Sequence, residues 1–411
     1  LSATSRGPDG FNITGVTVAQ LVDAASATPS TTSLDALTAA FTSAGHALPA
    51  TAAPVVTEIA AGNSWLVVSG AEVYVITWSG EALLASRPTI GAVAVAASVG
   101  AGLGAIGVAV AGAGAVAENV VLSTANAYLD ASTVTRAAKI DLDATSTSSV
   151  VAVIAAASAA IGVAVTSAGV GASIGVSVAR NTIGTAVKDA DALPEVGAFL
   201  RNTSVTDASA LTLDAASSQV IGALVVAMSA AVGVGAGAGV GFSGAGVWAE
   251  NTINSDVQAF IAATSAATVS AASIQLRAAD TSAIAAIAGS ASLAAGIGTV
   301  GVAIAVSATL ARNTIATDVA AYVQNTAVTA TQLDDPSDPD DITGITITAD
   351  SSATIMAIAA AASLAVGGGL VGVGVSGAGA DVANVILTTT TANTSGGSLS
   401  SMSAVAISAT D

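Results

Sequence analysis

Long stretches of this chain carry no charged residue and alternate between aliphatic and very small side chains. Val371, Val373 and Val375 alternate with single glycines, which places methyl groups on one face of a strand and bare backbone on the other. Residues 232–240 show the same alternation. A bare backbone face favours close packing. The pattern therefore predicts β-strands that pack through a glycine face.

Each uncharged stretch has an Ala-rich first half and a Gly-rich second half. The Ala-rich half predicts a helix. Residues 150–160 are typical: their spacing is helix-like and they have no polar face, so the helix must be surrounded by protein. We therefore predict an α+β tandem-repeat fold that is elongated and solenoid-like. Each β-rich unit would contain an Ala-rich buried helix and Gly-rich strands.

Asparagines mark the register of an internal repeat, which is the signature of a solenoid. Five of them follow the uncharged stretches at separations of 62, 70, 62 and 71 residues. Three open the same tripeptide, Asn-Thr-Ile. The five register positions are Asn119, Asn181, Asn251, Asn313 and Asn384.

Two further landmarks recur in the same order. An apolar-x-apolar-x-Ala pentad occurs at residues 140–144, 211–215, 274–278, 345–349 and 405–409. This pattern predicts a half-buried strand. An Ala-aromatic-aliphatic triplet occurs at residues 127–129, 198–200, 259–261 and 321–323. Extra residues in two copies, around 188–195 and 334–344, predict surface loops.

These landmarks divide the chain into a leading module and five copies. Residues 1–86 form the leading or capping module, with short helices in 18–41 and a β-hairpin in 65–80. Repeats 1 to 4 occupy residues 87–149, 150–219, 220–281 and 282–352, and a partial repeat 5 occupies 353–411.

The few charges of the chain are unbalanced, and four of them follow the repeat. Asp and Glu number 27 against nine Lys and Arg, for a net charge of −18, which excludes nucleic acid as a partner. The residues before the first four register asparagines alternate in sign: Glu118, Arg180, Glu250 and Arg312. If the copies stack in register, these four residues form an inter-repeat charge ladder. Four solvated charges are the alternative.

Candidate catalytic groups are scarce. The chain has one histidine, His46, two lysines, Lys139 and Lys188, and no cysteine. A catalytic triad, a Schiff base or a His-based metal site lacks the residues that it needs. Matches to GxGxxG lie within the repeated small-residue stretches, where packing explains them. We therefore expect no enzyme activity, no catalytic residue and no cofactor-binding residue.

One acidic cluster could hold calcium, because carboxylate oxygens at short spacing suit that ion. The spacing does not match an EF-hand loop, and a solvated acidic loop is the favoured interpretation. The cluster consists of Asp334, Asp335, Asp338, Asp340 and Asp341.

The uncharged stretches are also long enough to span a membrane. Residues 88–117, 281–311 and 351–380 each exceed the roughly 20 residues that a spanning helix needs. They consist of Ala, Gly and Ser, however, and no aromatic belt flanks them. Membrane spanning is therefore the disfavoured alternative.

The ordered recurrence of "ARNTI" or "AENTI", together with an "AYV" strand and a "TVSA" strand, resembles the repeat regions of very large secreted bacterial exoproteins of the leukotoxin-like filamentous adhesin type. The resemblance covers roughly residues 60–411 and supplies no catalytic residue. It implies a secreted, cell-attached, elongated protein.

Function is expected to be structural. The favoured hypothesis is an extracellular acidic repeat protein that forms a stalk or filament of a bacterial surface adhesin or biofilm matrix. Its partners would be copies of itself or further repeats of the same chain. An adhesive or membrane-active toxin-like module is the alternative, and a multi-span membrane protein is the third choice.

Overall fold

The computed structural model describes residues 90–184, 193–333 and 344–411, and within residues 1–89 it describes the helices, the strands and a few adjacent positions. The leading segment contains β1 (Ser2–Ser5), β2 (Gly10–Ile13), α1 (Val18–Ala24), α2 (Thr31–Ser43), β3 (Val55–Ala60), β4 (Ser64–Ser69), β5 (Glu72–Trp78) and β6 (Leu83–Ser86).

The described residues from 90 onward form strands and turns. The strands are β7 (Ile90–Gly104), β8 (Gly107–Val121), β9 (Ala125–Asp130), β10 (Thr133–Thr135), β11 (Ile140–Ala164), β12 (Ala168–Ile183), β13 (Val196–Arg201), β14 (Ser204–Gly235), β15 (Ala238–Ile297), β16 (Val300–Ala330), β17 (Gly344–Gly368), β18 (Val371–Ser395), β19 (Ser398–Ser401) and β20 (Val405–Thr410).

These strands wind into a solenoid in which each coil pairs with the next in parallel. The strand β11 pairs with β14 residue for residue, from Ile140 opposite Leu211 to Ala164 opposite Gly235. The same register continues from β14 to β15 and from β15 to β17. The predicted β-rich, solenoid-like architecture is confirmed.

Part of each coil is a flat arm made of two strands that run out to a tip and back. The outgoing strands form the ascending sheet, which contains β7, β11, β14, residues 273–297 of β15, and β17. The returning strands form the descending sheet, which contains β8, β12, residues 238–262 of β15, β16 and β18.

At the base of the arm the coil widens into a body with a conventional apolar core. Strands that carry the aromatic triplet, the following Thr-Val segment and the pentad surround this core. Its fully buried members include Leu200, Val205, Leu213, Leu276 and Ile347. The core residues come from every coil, so the body is stabilised across the stack rather than within one copy.

The predicted Ala-rich helix is wrong. Residues 150–160 lie within β11, and the described part of every copy contains strands at this position. Pairing with the two neighbouring coils supplies backbone hydrogen-bond partners on both sides of the strand. This tertiary pairing outweighs the helix preference of alanine, which is a weak local term.

Glycine lets the two sheets of the arm approach closely. A Cβ atom on Gly162 would lie 2.0 Å from the carbonyl oxygen of Val170, and one on Gly233 would lie 2.0 Å from that of Val240. These two glycines are paired in neighbouring coils. The predicted glycine face therefore packs against the backbone of a strand, where a helix was expected.

The leading segment has a separate core. Its antiparallel sheet has the order β2-β6-β5-β4-β3, and residues of α1 and α2 pack with it. Leu21, Phe41, Trp65 and Tyr74 are among the buried residues. The strand β1 instead pairs in parallel with β11. Gly70 and Ala71, between β4 and β5, and Arg87 and Pro88, at the predicted boundary, lie outside the described residues.

We predict that Gly233→Ala destabilises the solenoid by about 2–3 kcal/mol, because the added methyl must displace backbone. The midpoint of denaturant unfolding, followed by circular dichroism, measures the loss. Gly246→Ala is the matched control, since a Cβ there would meet no atom within 4 Å. Equal effects of the two substitutions would contradict the close approach of the sheets.

Candidate functional site: ladders between stacked coils

The register asparagines form a continuous hydrogen-bonded ladder. All five occupy equivalent positions in neighbouring coils. The Nδ2 atom of each donates to the Oδ1 atom of the next, at 2.7 Å for the first three bonds and 2.9 Å from Asn313 to Asn384. Asn251 is fully buried. A one-residue slip would leave these amides buried without partners, so the ladder fixes the register.

The aromatic triplets form a second ladder. The rings of Tyr128, Phe199, Phe260 and Tyr322 stack with centroid distances of 4.8, 4.5 and 4.9 Å and are parallel within 5°. The Tyr322 hydroxyl donates to Gln258 Oε1 at 3.3 Å. Burial raises the pKa of Tyr322 to about 12. The ladder packs and aligns the body of the solenoid.

The predicted charge ladder occupies one row of the descending sheet, but its members pair unequally. Glu118, Arg180, Glu250 and Arg312 face one another in register. Arg180 Nε lies 3.5 Å from Glu250 Oε2, and this is the only ion pair that the described residues form within the row. The Arg312 guanidinium lies instead over the Trp248 ring, 5.6 Å from its centroid. These side chains are exposed, so each contact contributes little to stability.

Two inter-coil ion pairs were missed by the sequence reasoning. Arg201 Nη2 lies 2.7 Å from Asp130 Oδ2, and Arg277 Nη1 lies 3.4 Å from Asp214 Oδ1. Both pairs join residues at equivalent positions of neighbouring coils. The signal was present in the aligned copies, because one pair follows the aromatic triplet and the other holds the fourth position of the pentad.

Several candidate residues fall outside the described part of the chain. They include His46, Lys188 and the whole acidic cluster, Asp334, Asp335, Asp338, Asp340 and Asp341, so calcium binding there stays a prediction. Lys139 is described and forms an ion pair with Asp141 at 2.7 Å. Within the described ranges, no group of three or more His, Cys, Asp and Glu residues is arranged to hold a metal ion.

A buried polar cluster lies where the arm meets the body. Asp280 is 2% exposed, and its Oδ2 atom accepts a hydrogen bond from Ser282 Oγ at 2.8 Å. Ser217 and Ser351 flank Asp280 in register. Burial raises the pKa of Asp280, and the neighbouring hydroxyl groups of Ser282, Ser217 and Ser255 oppose that rise. Asp280 Oδ1 has no hydrogen-bond partner.

The arrangement of these residues can align and join coils. Comparison with protein-family models, with curated proteins and with solved structures finds no match for this chain. Among the described residues, no helix combines the length and the apolar composition that a membrane crossing requires.

We predict that Asp280→Asn stabilises the protein at neutral pH. Because the folded pKa of Asp280 is raised, the unfolded state ionises first as the pH rises, and this residue then lowers the free energy of unfolding. The unfolding midpoint of the variant should exceed that of the wild type at pH 7. The gain should shrink as the pH falls through the usual range of aspartate.

The control is Asp207→Asn, which removes the same charge from an exposed position near the start of β14. This variant should show no comparable gain at pH 7. A destabilising effect of Asp280→Asn that is the same at every pH would show that the carboxylate is needed for its hydrogen bonds.

Proposed function

We propose that this chain is a structural repeat segment of an extracellular stalk or filament that belongs to a bacterial surface adhesin or matrix. The observation that carries the proposal is the stacking of successive coils in one register, with asparagine and aromatic ladders running across them. A protein built this way extends by adding coils. The resemblance of its repeats to those of filamentous exoproteins supports the extracellular location.

The last coil has open sheet edges that could continue the stack. In the described residues, β18 pairs with β16 on one side and has no strand on the other. Asn384 forms the outer rung of the amide ladder. An unpaired edge of this length is a template for another strand. The proposed partner at this edge is a further repeat of the same protein or another copy of it.

The experiment is electron microscopy and fibre diffraction of the concentrated, purified chain. Axial stacking should give rods with a reflection near 4.8 Å along the rod axis, because the strands lie across that axis. Asn384→Lys should prevent rods, since it places an unpaired charge in the ladder between copies. Thr391→Lys, at an exposed position of the same strand that lies opposite Ala320 and outside both ladders, is the matched control and should still give rods.

A membrane-active module is the alternative, and the exposed aliphatic side chains of the arm favour it. Release of a trapped dye from lipid vesicles tests this alternative. Dye release by a chain that forms no rods would overturn the structural proposal.

A further inference from the structure

In the arm, small side chains point inward and larger aliphatic side chains point outward, which is the reverse of an ordinary protein core. In β11 the inward positions of the arm carry residues such as Ala156, Ser158 and Gly162, and the outward positions carry residues such as Val153 and Ile161. Aliphatic side chains therefore cover the outer face of the ascending sheet. Among them, Val95 is 71% exposed, Leu103 is 78% exposed and Leu364 is 56% exposed.

No charge interrupts this face. Residues 90–117, 150–179, 219–249, 281–311 and 351–380, which form the arm of successive coils, contain no Asp, Glu, Lys or Arg. The net charge of −18 therefore resides elsewhere in the chain. An exposed apolar surface of this extent marks an interaction site in a folded protein.

The apolar outer face of the ascending sheet also contains a groove. A groove of about 440 Å³ crosses the strands of the ascending sheet. Val99, Met228, Leu293 and Leu364 line it together with alanines such as Ala157. A row of aliphatic side chains from a second apolar sheet could enter such a groove, as the inner faces of packed sheets interdigitate.

The size of the face matches a stable interface. Its five strands lie about 4.8 Å apart and its aliphatic positions span about ten residues, so it measures roughly 24 by 33 Å, or about 800 Å². A stable pair of proteins buries about 800 Å² on each partner. One copy of this face is therefore large enough to bind another.

The chain already covers the base of this face. The outward-directed Val151 and Val220 are buried and form a cluster with Ala283 and Ala285. The strand β3 of the leading segment contacts β15 and β17. Farther along the arm the corresponding positions, such as Met228 and Leu293, are exposed. The apolar surface thus continues beyond its intramolecular cover.

Backbone groups favour a protein partner over lipid. The outer strands of the sheets, such as β18, carry backbone N–H and C=O groups with no strand on one side among the described residues. In hydrocarbon each unsatisfied group costs several kcal/mol. When two arms pack face to face, these edges stay outside the interface, where water or the strand of a further repeat can satisfy them.

We propose that two copies of the chain dock through the outer faces of their ascending sheets, related by a two-fold axis. The contact is isologous, because the same face serves both partners. It is lateral, so it goes beyond the axial stacking of coils and does not depend on it. The descending sheet, whose outer face carries the row of Glu118, Arg180, Glu250 and Arg312, stays outside the interface.

Analytical ultracentrifugation of the full chain at micromolar concentration tests this docking. The wild type should sediment as a dimer. Met228→Lys and Leu293→Lys each place a charge in the groove and should raise the dissociation constant more than about tenfold. Thr206→Lys adds the same charge at an exposed position of the body and should leave the dimer intact. Circular dichroism verifies that each variant is folded.

A folded wild type that stays monomeric would overturn the proposal, as would lysine variants that dimerise like the wild type. Flotation with phosphatidylcholine vesicles tests whether lipid, rather than a second copy, binds this face. A chain that is monomeric in solution and floats with vesicles would show that lipid covers the face. The sedimentation test of the lateral dimer does not depend on rod formation, because Asn384→Lys should block rods and leave the lateral dimer unchanged.

Discussion

In-register parallel pairing between successive coils is the constraint on which the rest of this structure depends. Parallel pairing sets each residue beside its equivalent one coil away, so any residue type that recurs in the repeat becomes a ladder. Buried amides then satisfy one another, as in the asparagine row, and rings stack, as in the row of Phe199 and Phe260. The same rule places the ion pairs Arg201–Asp130 and Arg277–Asp214 across neighbouring coils.

The second constraint is the close approach of the two arm sheets. Where Gly162 and Gly233 bring the sheets into backbone contact, no larger side chain fits inside. Small residues therefore occupy the interior, and the aliphatic residues that would normally fill a core point outward. This exchange explains why a chain that is 53% hydrophobic leaves Leu103 and Val95 exposed. It also gives the arm a surface suited to association.

The repeat and its register positions could be read from the sequence because they recur at fixed separations. The strand character of residues 150–160 could not, because alanine-rich segments suit both a helix and a tightly packed strand, and only pairing with neighbouring coils decides between them. The alternation of Glu118, Arg180, Glu250 and Arg312 predicted their shared row. It could not predict that Arg312 lies over Trp248, because that choice depends on side-chain packing.

Disulfide trapping tests the in-register stack most directly, since the chain contains no cysteine of its own. Thr182 and Thr252 are register partners, so cysteines there should lie about 5 Å apart and cross-link under mild oxidation. Thr314 is one coil farther on, so Thr182→Cys with Thr314→Cys should remain reduced. Efficient cross-linking of the first pair alone is the predicted result. No cross-link in that pair, or equal cross-linking in both pairs, would contradict the stacked solenoid.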